Sequence, residues 1–217
     1  MRDIDVRQAL WRKVLADHIR DPRTRVVSEL GVAYGEARVD IAVVNGRLHG
    51  FEIKSDSGTL VRLPSQIEAY NRVFDRVTLV AGRKHIDGLT ALIPDWWGVK
   101  IATSGIRNAV HFTDLRRASQ NPDVEGASLA ALLWRDEALA VLTSRGVKGI
   151  KSKTRPQLAA LLANSLSLKE LGQAVRDAIK AREDWRSDVR LKPRAGLSQP
   201  SATTLDCPDV DLLHTPQ

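Results

Sequence analysis

Residues 38–55, RVDIAVVNGRLHGFEIKS, decide how this chain is read: two apolar runs flank Asn45-Gly46, and Asp40, Glu52 and Lys54 stand inside strands otherwise suited to a core. In the plain reading these charges face water. A strict two-residue Asn-Gly loop sets Val44 opposite Arg47 and Asp40 opposite Phe51, which scatters charge over both sheet faces. A three-residue loop, Asn45-Gly46-Arg47, or a bulge near Gly50, instead brings Val43, Ile41 and Val39 opposite His49, Phe51 and Ile53. Asp40 then comes opposite Glu52, with Lys54 on the same side. Opposed positions hold their Cβ atoms about 4.5–5.5 Å apart, close enough for two carboxylates to share one divalent ion. Without a cation the carboxylates repel and one takes up a proton; Lys54 as a simple ion-pair partner is the alternative.

Working outward, residues 3–19 carry Ile4, Ala9, Leu10, Val14, Leu15 and Ile19 at helical spacing, with Asp3 placed as N-cap. Residues 24–30 read as a strand, 34–37 as a turn, and 38–44 and 48–55 as the strands of the hairpin. A stripe of Leu60, Leu63, Ile67, Tyr70, Val73 and Phe74 predicts a helix over 59–75 that tolerates Pro64 in its first turn, and 76–82 is a buried strand. The order helix, three strands, helix, strand implies an α+β unit with a mixed sheet, since tight turns force antiparallel pairing and a helical crossover favours parallel pairing. A short helix over 84–93 and strands over 97–104 and 108–114 extend it, with Trp96 and Trp97 as packing residues.

From Ala127 the pattern turns helical in three segments. The expected organisation is residues 1–118 as the α/β domain, 127–186 as a small helical domain, and a Pro-, Ser- and Thr-rich disordered tail over 187–217. Between two of the helices, RGVKGIKSKTR (145–155) holds Arg145, Lys148, Lys151, Lys153 and Arg155 with no acid. Glycines in such a segment let backbone N–H groups approach phosphates, and the arrangement loosely resembles the SAP-type DNA-binding module; a solvated linker is the alternative.

The 217 residues are 43% hydrophobic and 27% charged, with a formal net charge of +7, which suits a globular protein with a polyanionic partner, most simply nucleic acid. A single cysteine, Cys207, excludes a disulfide framework and a thiolate zinc site, and the five histidines show no ligand spacing. No apolar run reaches the ~20 residues of a membrane helix and the N-terminus is no leader, so a cytoplasmic protein is expected, as a monomer or homodimer.

Asp40 followed on the next strand by Glu52-Ile53-Lys54 resembles the PD-(D/E)xK nuclease superfamily, whose common core runs helix, three strands, helix, strand. Glu29-Leu30, Gly35 to Asp40, Glu52 to Ser55, Tyr70 and Asp75-Arg76 are similar to bacterial members linked to DNA repair or of unassigned role. Arg38-Val39 precedes Asp40 where the family pattern has proline. The resemblance implies a restriction-endonuclease-like core, with Asp40, Glu52, the Ile53 carbonyl and Glu29 as ligands of Mg²⁺ or Mn²⁺. It further implies Lys54 orienting the attacking water and stabilising charge on phosphorus, Gln66 beside it on the helix, and Tyr70 near bound nucleic acid. A metal-dependent nuclease acting on DNA in repair, restriction or defence is the expected function. A nuclease fold that binds nucleic acid or assembles without cleaving is the alternative, and a metal-free structural protein a third.

Overall fold

The computed structural model describes residues 1–56 and 59–182. Its elements are α1 (Asp3–Lys13), α2 (Ala16–Arg20), β1 (Arg25–Val32), β2 (Ala37–Val44), β3 (Leu48–Lys54), α3 (Leu63–Asn71), β4 (Arg76–Gly82), α4 (Ile86–Thr90), β5 (Gly98–Ser104), β6 (Val110–Arg116), α5 (Gly126–Ala130), α6 (Arg135–Ser144), α7 (Arg155–Ser165) and α8 (Leu168–Ala181). The six strands form one sheet in sequence order. Pairing is antiparallel between β1, β2 and β3, parallel between β3, β4 and β5, and antiparallel again between β5 and β6. The chain is therefore mixed α/β, a six-stranded mixed sheet flanked by helices. No helix among the described residues is long and apolar enough to cross a membrane.

Both parallel steps, β3-α3-β4 and β4-α4-β5, move across the sheet in one direction, so right-handed crossovers place α3 and α4 on the same face. Leu63, Tyr70, Val73 and Phe74 of the α3 region and Ile86 and Leu89 of α4 accordingly share a cluster with Leu48, Val77, Leu79 and Ala81. On the opposite face, Val6, Leu10, Trp11 and Leu15 cover Ile41, Val43, Phe51, Ile53 and Val80. Ile4 and Ile19, expected in that apolar stripe, are 48% and 49% exposed: the expected single helix breaks after Lys13, which takes Ile19 out of the stripe, while Ile4 lies in the first turn of α1 off the face that buries Val6 and Leu10. Asp3 is not the N-cap, which falls on Arg2; its carboxylate instead accepts from the Ser55 N–H at 3.2 Å.

The hairpin register is Ile41↔Phe51, Ala42↔Gly50, Val43↔His49 and Val44↔Leu48, which leaves Asn45, Gly46 and Arg47 as a three-residue loop. The Arg47 N–H donates to Asn45 Oδ1 at 3.1 Å, closing the loop through the asparagine side chain. Gly50 is required for close approach: a Cβ there would lie 3.3 Å from both Phe74 and Val39.

Alternation breaks at one place. In β1, Val27, Leu30 and Val32 all join the α3-side cluster, and in β2 so do Val39, Ala42 and Val44. Even and odd positions change sides between residues 27 and 30 and again between 39 and 42, where the ladder passes from Ser28↔Ile41 to Leu30↔Val39 and skips Glu29 and Asp40. Val39, expected beside Ile41 and Val43, is thus on the other face. The physical cause is Glu29, whose φ of 56° is left-handed in mid-strand and reverses the direction of its side chain.

Residues 117–125 connect the sheet to the helices and are fastened to it. Asn121 is buried and donates through Nδ2 to the carbonyls of Asn71 (2.7 Å) and Phe74 (2.8 Å). One apolar cluster continues from the sheet into Leu129, Leu142, Leu158, Leu171 and Val175, so the expected division near 118–126 falls between elements that share a core. The first of the three expected helices is split into α5 and α6. The expected tail over 187–217, with Cys207, lies outside the described residues.

A left-handed backbone at Glu29 is tolerated by asparagine and resisted by a β-branched residue. Glu29→Asn and Glu29→Val both remove the carboxylate, so their difference isolates the backbone. Urea unfolding is expected to show the valine variant less stable than the asparagine variant by about 1–2 kcal/mol.

Candidate functional site

At the residues beyond Ile41 and Phe51 the ladder between β2 and β3 ends. Here the Ile53 N–H donates to Asp40 Oδ2 at 2.7 Å, so the carboxylate takes the place of a strand acceptor and turns sideways towards β3. Its other oxygen meets Arg7 Nη2 at 2.5 Å, and Arg7 also donates to the Asp40 carbonyl at 3.0 Å and pairs with Glu29 Oε1 at 2.9 Å. Arg7 was not picked out from the sequence. Its position at the middle of α1, facing the strand that carries Asp40, depends on how the helix packs and leaves no mark in the local pattern.

Glu52 and Lys54 point to the α3 face. Lys54 Nζ lies 2.7 Å from Glu52 Oε1 and 2.9 Å from Gln66 Oε1, while Gln66 Nε2 donates to the same Glu52 oxygen at 2.8 Å. The Tyr70 hydroxyl sits 2.8 Å from Glu52 Oε2 and 2.6 Å from the Arg38 carbonyl, and accepts from Gln66 at 3.2 Å. Pro64 at the start of α3 and the spacing of Gln66 and Tyr70, one turn apart, place both on the face that meets Glu52. Glu52 and Lys54 are 2% and 8% exposed, an ion pair to which α3 adds hydrogen bonds from Gln66 and Tyr70.

These side chains open into one polar crevice of about 360 Å³, lined by Asp3, Glu29, Gly35 to Arg38, Asp40, Glu52 to Lys54, Arg62, Ser65 and Gln66. The expected residues Glu29, Asp40, Glu52, Ile53, Lys54 and Gln66 therefore meet. Tyr70 does not serve as a nucleic-acid contact, because it is fully buried and its hydroxyl is spent on Glu52 and Arg38. Of the basic segment, Arg145 pairs with Glu170 at 3.1 Å, and Arg155 donates to the carbonyls of Ala131 (3.2 Å) and Leu133 (3.3 Å), tying α7 to α5. Lys148 and Lys151 are exposed and Lys153 half-buried, with no ion pair among the described residues.

Burial and the neighbouring Glu52 carboxylate push the Asp40 carboxyl up to about 7, against the pull of Arg7 and the Ile53 N–H. Burial and the same glutamate raise the Tyr70 phenol, which stays a neutral donor. Two neighbouring carboxylates such as Asp40 and Glu52 would lose their mutual repulsion if a hard divalent cation replaced the proton. As drawn, Arg7 and Lys54 occupy those oxygens, and among the described residues no three His, Cys, Asp or Glu side chains gather as a metal-holding group.

The family described as bacteriophage P4 protein cII matches residues 4–203 of the chain. Protein cII of Enterobacteria phage P4 is 26% identical over 157 residues, covering 72% of this chain, which spans 59% of that protein's length. Among solved structures, the SPO1766 protein of unknown function from Silicibacter pomeroyi is similar over 64% of this chain and 90% of its own, with 19% identity and a TM-score of 0.38.

Because the folded state keeps the Asp40 proton that the unfolded chain loses near 3.8, this group stabilises the fold at low pH. The contribution is lost as pH rises towards 7. In chelator, wild-type unfolding free energy is expected to fall between pH 4 and pH 7.5 relative to Asp40→Asn by roughly 3 kcal/mol, read from urea titrations. Parallel curves would show that the carboxyl is not protonated there.

Proposed function

The chain belongs to the bacteriophage P4 protein cII family, and for this member we propose a divalent-metal-dependent nuclease that hydrolyses DNA on a restriction-endonuclease-like core. The observation that carries the reading is the meeting of Asp40, Glu52, Lys54 and Gln66, drawn from two strands and a helix, in one polar crevice beside Glu29. Asp40, Glu52 and Glu29, with the Ile53 carbonyl, would hold Mg²⁺ or Mn²⁺. Such an ion supplies positive charge against the negative charge that builds on a phosphodiester under attack. Lys54, held by Glu52 and Gln66 with an ammonium proton to spare, donates to a phosphate oxygen or to the attacking water. Gln66 keeps that ammonium aimed, and the buried Tyr70 keeps Glu52 in place. Arg7, 20% exposed, pairs with the same Glu29 and Asp40 oxygens and would have to release them to such an ion. The net charge of +7 and the exposed Lys148 and Lys151 supply the attraction for a polyanion.

A second reading has its own observation. Arg7 already bridges Glu29 and Asp40, and Lys54 already neutralises Glu52, so the crevice is held together by the protein's own cations. A module that binds or organises nucleic acid without cutting it needs no more than that.

Labelled duplex, nicked, branched and single-stranded DNA incubated with the protein and Mg²⁺ or Mn²⁺ distinguishes the two. The nuclease predicts cleavage that falls at least about a hundredfold in Asp40→Asn, Glu52→Gln and Lys54→Met. It also predicts calorimetric heat on Mn²⁺ titration that Asp40→Asn removes. DNA binding in chelator without cleavage in any metal, unchanged by Asp40→Asn, would decide for the second reading.

A further inference from the structure

Next to the crevice the backbone does something costly. Ala33, Tyr34 and Gly35 are consecutively left-handed, with φ of 49°, 58° and 101°, although only the third is glycine. A non-glycine residue there crowds its Cβ against the following carbonyl oxygen, and such strain gathers at functional sites. What this turn presents is the Tyr34 ring, 47% exposed. The Arg155 guanidinium lies 5.2 Å from the ring centroid, backing it. Arg155 is itself pinned to the Ala131 and Leu133 carbonyls, so the cation is not free to fold away. The following residues, Gly35 to Arg38, form the wall of the crevice. Leading up to Arg155 are Lys148, Lys151 and Lys153. An exposed aromatic ring with a fixed cation behind it therefore stands where the crevice wall meets the basic segment.

We propose that Tyr34 is a stacking platform for an unpaired base, so that the nucleic acid this protein takes is single-stranded DNA or a duplex with a single-stranded stretch. The strand enters the Asp40–Glu52 crevice on one side of the ring and follows Lys153, Lys151 and Lys148 on the other. The inference rests on the nucleic-acid reading above and sharpens it. Base-paired DNA offers its bases edge-on and stacked, with no open face for the ring, whereas an unpaired base has one. The guanidinium behind Tyr34 adds positive charge to the same surface, as strand-tracking grooves require. Arg38, 54% exposed and 3.7 Å from Glu29 Oε2, stands at the crevice mouth beside it.

The test uses the full chain with Asp40→Asn as background, in chelator, so that cutting does not interfere. Binding of a fluorescent single-stranded oligonucleotide and of a blunt duplex of the same sequence is measured by anisotropy, and an oligonucleotide carrying 2-aminopurine reports stacking by quenching. Tyr34→Gly removes the ring while suiting the left-handed backbone, so its melting temperature is expected to match or exceed that of the parent. Tyr34→Trp keeps a ring. The expected result is single-strand affinity about tenfold lower in Tyr34→Gly, preserved in Tyr34→Trp, with duplex affinity changing far less and 2-aminopurine quenching lost only in the glycine variant. Equal single-strand affinity in parent and Tyr34→Gly overturns the platform while leaving nucleic-acid binding standing. No salt-sensitive binding of either DNA by the parent overturns both.

Discussion

The inversion of β1 and β2 at Glu29 and Asp40 is the constraint on which the candidate site depends. A regular antiparallel pair would put Asp40 on the α3 face beneath the core, where a carboxylate is expensive to bury. Because Glu29 takes a left-handed conformation, Val39 fills that face instead, and Asp40 turns along the sheet to the Ile53 N–H. Arg7 holds the arrangement from α1 through both carboxylates and the Asp40 carbonyl. Local strain at one residue is thus matched by a charge-assisted network across three elements, and the strands part where chemistry would need room.

The other half of the site is fixed from the helix side. Tyr70 stacks on Trp97 at 6.1 Å between ring centroids and meets Phe74 edge-on at 5.6 Å, and Trp97 Nε1 donates to Asn71 at 2.9 Å. Asn121 then caps the last turn of α3 through the Asn71 and Phe74 carbonyls. The helix cannot rotate without breaking these contacts, so Gln66 and Tyr70 stay aimed at Glu52. The C-terminal helices contribute through the same connection, which is why a cluster that begins under α3 continues into α7 and α8.

The hairpin register could be read from the sequence because one buried face specifies it: only the three-residue loop sets Ile41 opposite Phe51, so that both strands turn apolar side chains towards α1. Gln66 was implied by the family resemblance, at the helix position one turn before Tyr70. Arg7 and the left-handed turn at Ala33 to Gly35 were not legible, since each depends on a partner distant in sequence: Asp40 for the arginine, and Arg155 for the tyrosine that the turn presents. Tyr70 was placed on the correct helix face but misjudged in depth, because periodicity gives direction and says nothing of what lies above. The partners of the basic segment were not legible either, since charge counting cannot see that Arg155 is committed to carbonyls and Arg145 to Glu170.

The charge balance of the crevice links these observations. Glu29, Asp40 and Glu52 face Arg7, Arg38 and Lys54, three acids against three bases, and within that balance burial and the Glu52 carboxylate raise the proton affinity of Asp40. A divalent ion entering this set would overshoot neutrality and would meet Arg7 on the oxygens it needs, so Arg7 would have to leave. A guanidinium leaving two carboxylates needs another anion, because moving it to no partner forfeits charge-assisted bonds worth more than ordinary ones. A phosphodiester is such an anion, and its planar-paired oxygens suit the guanidinium fork. On the proposed function, then, ion and substrate favour each other's binding through Arg7: the phosphate draws the arginine off Glu29 and Asp40, and the vacated oxygens raise the affinity for the ion. The same linkage weakens ion binding in the absence of nucleic acid, since the arginine must then be displaced with nothing to receive it.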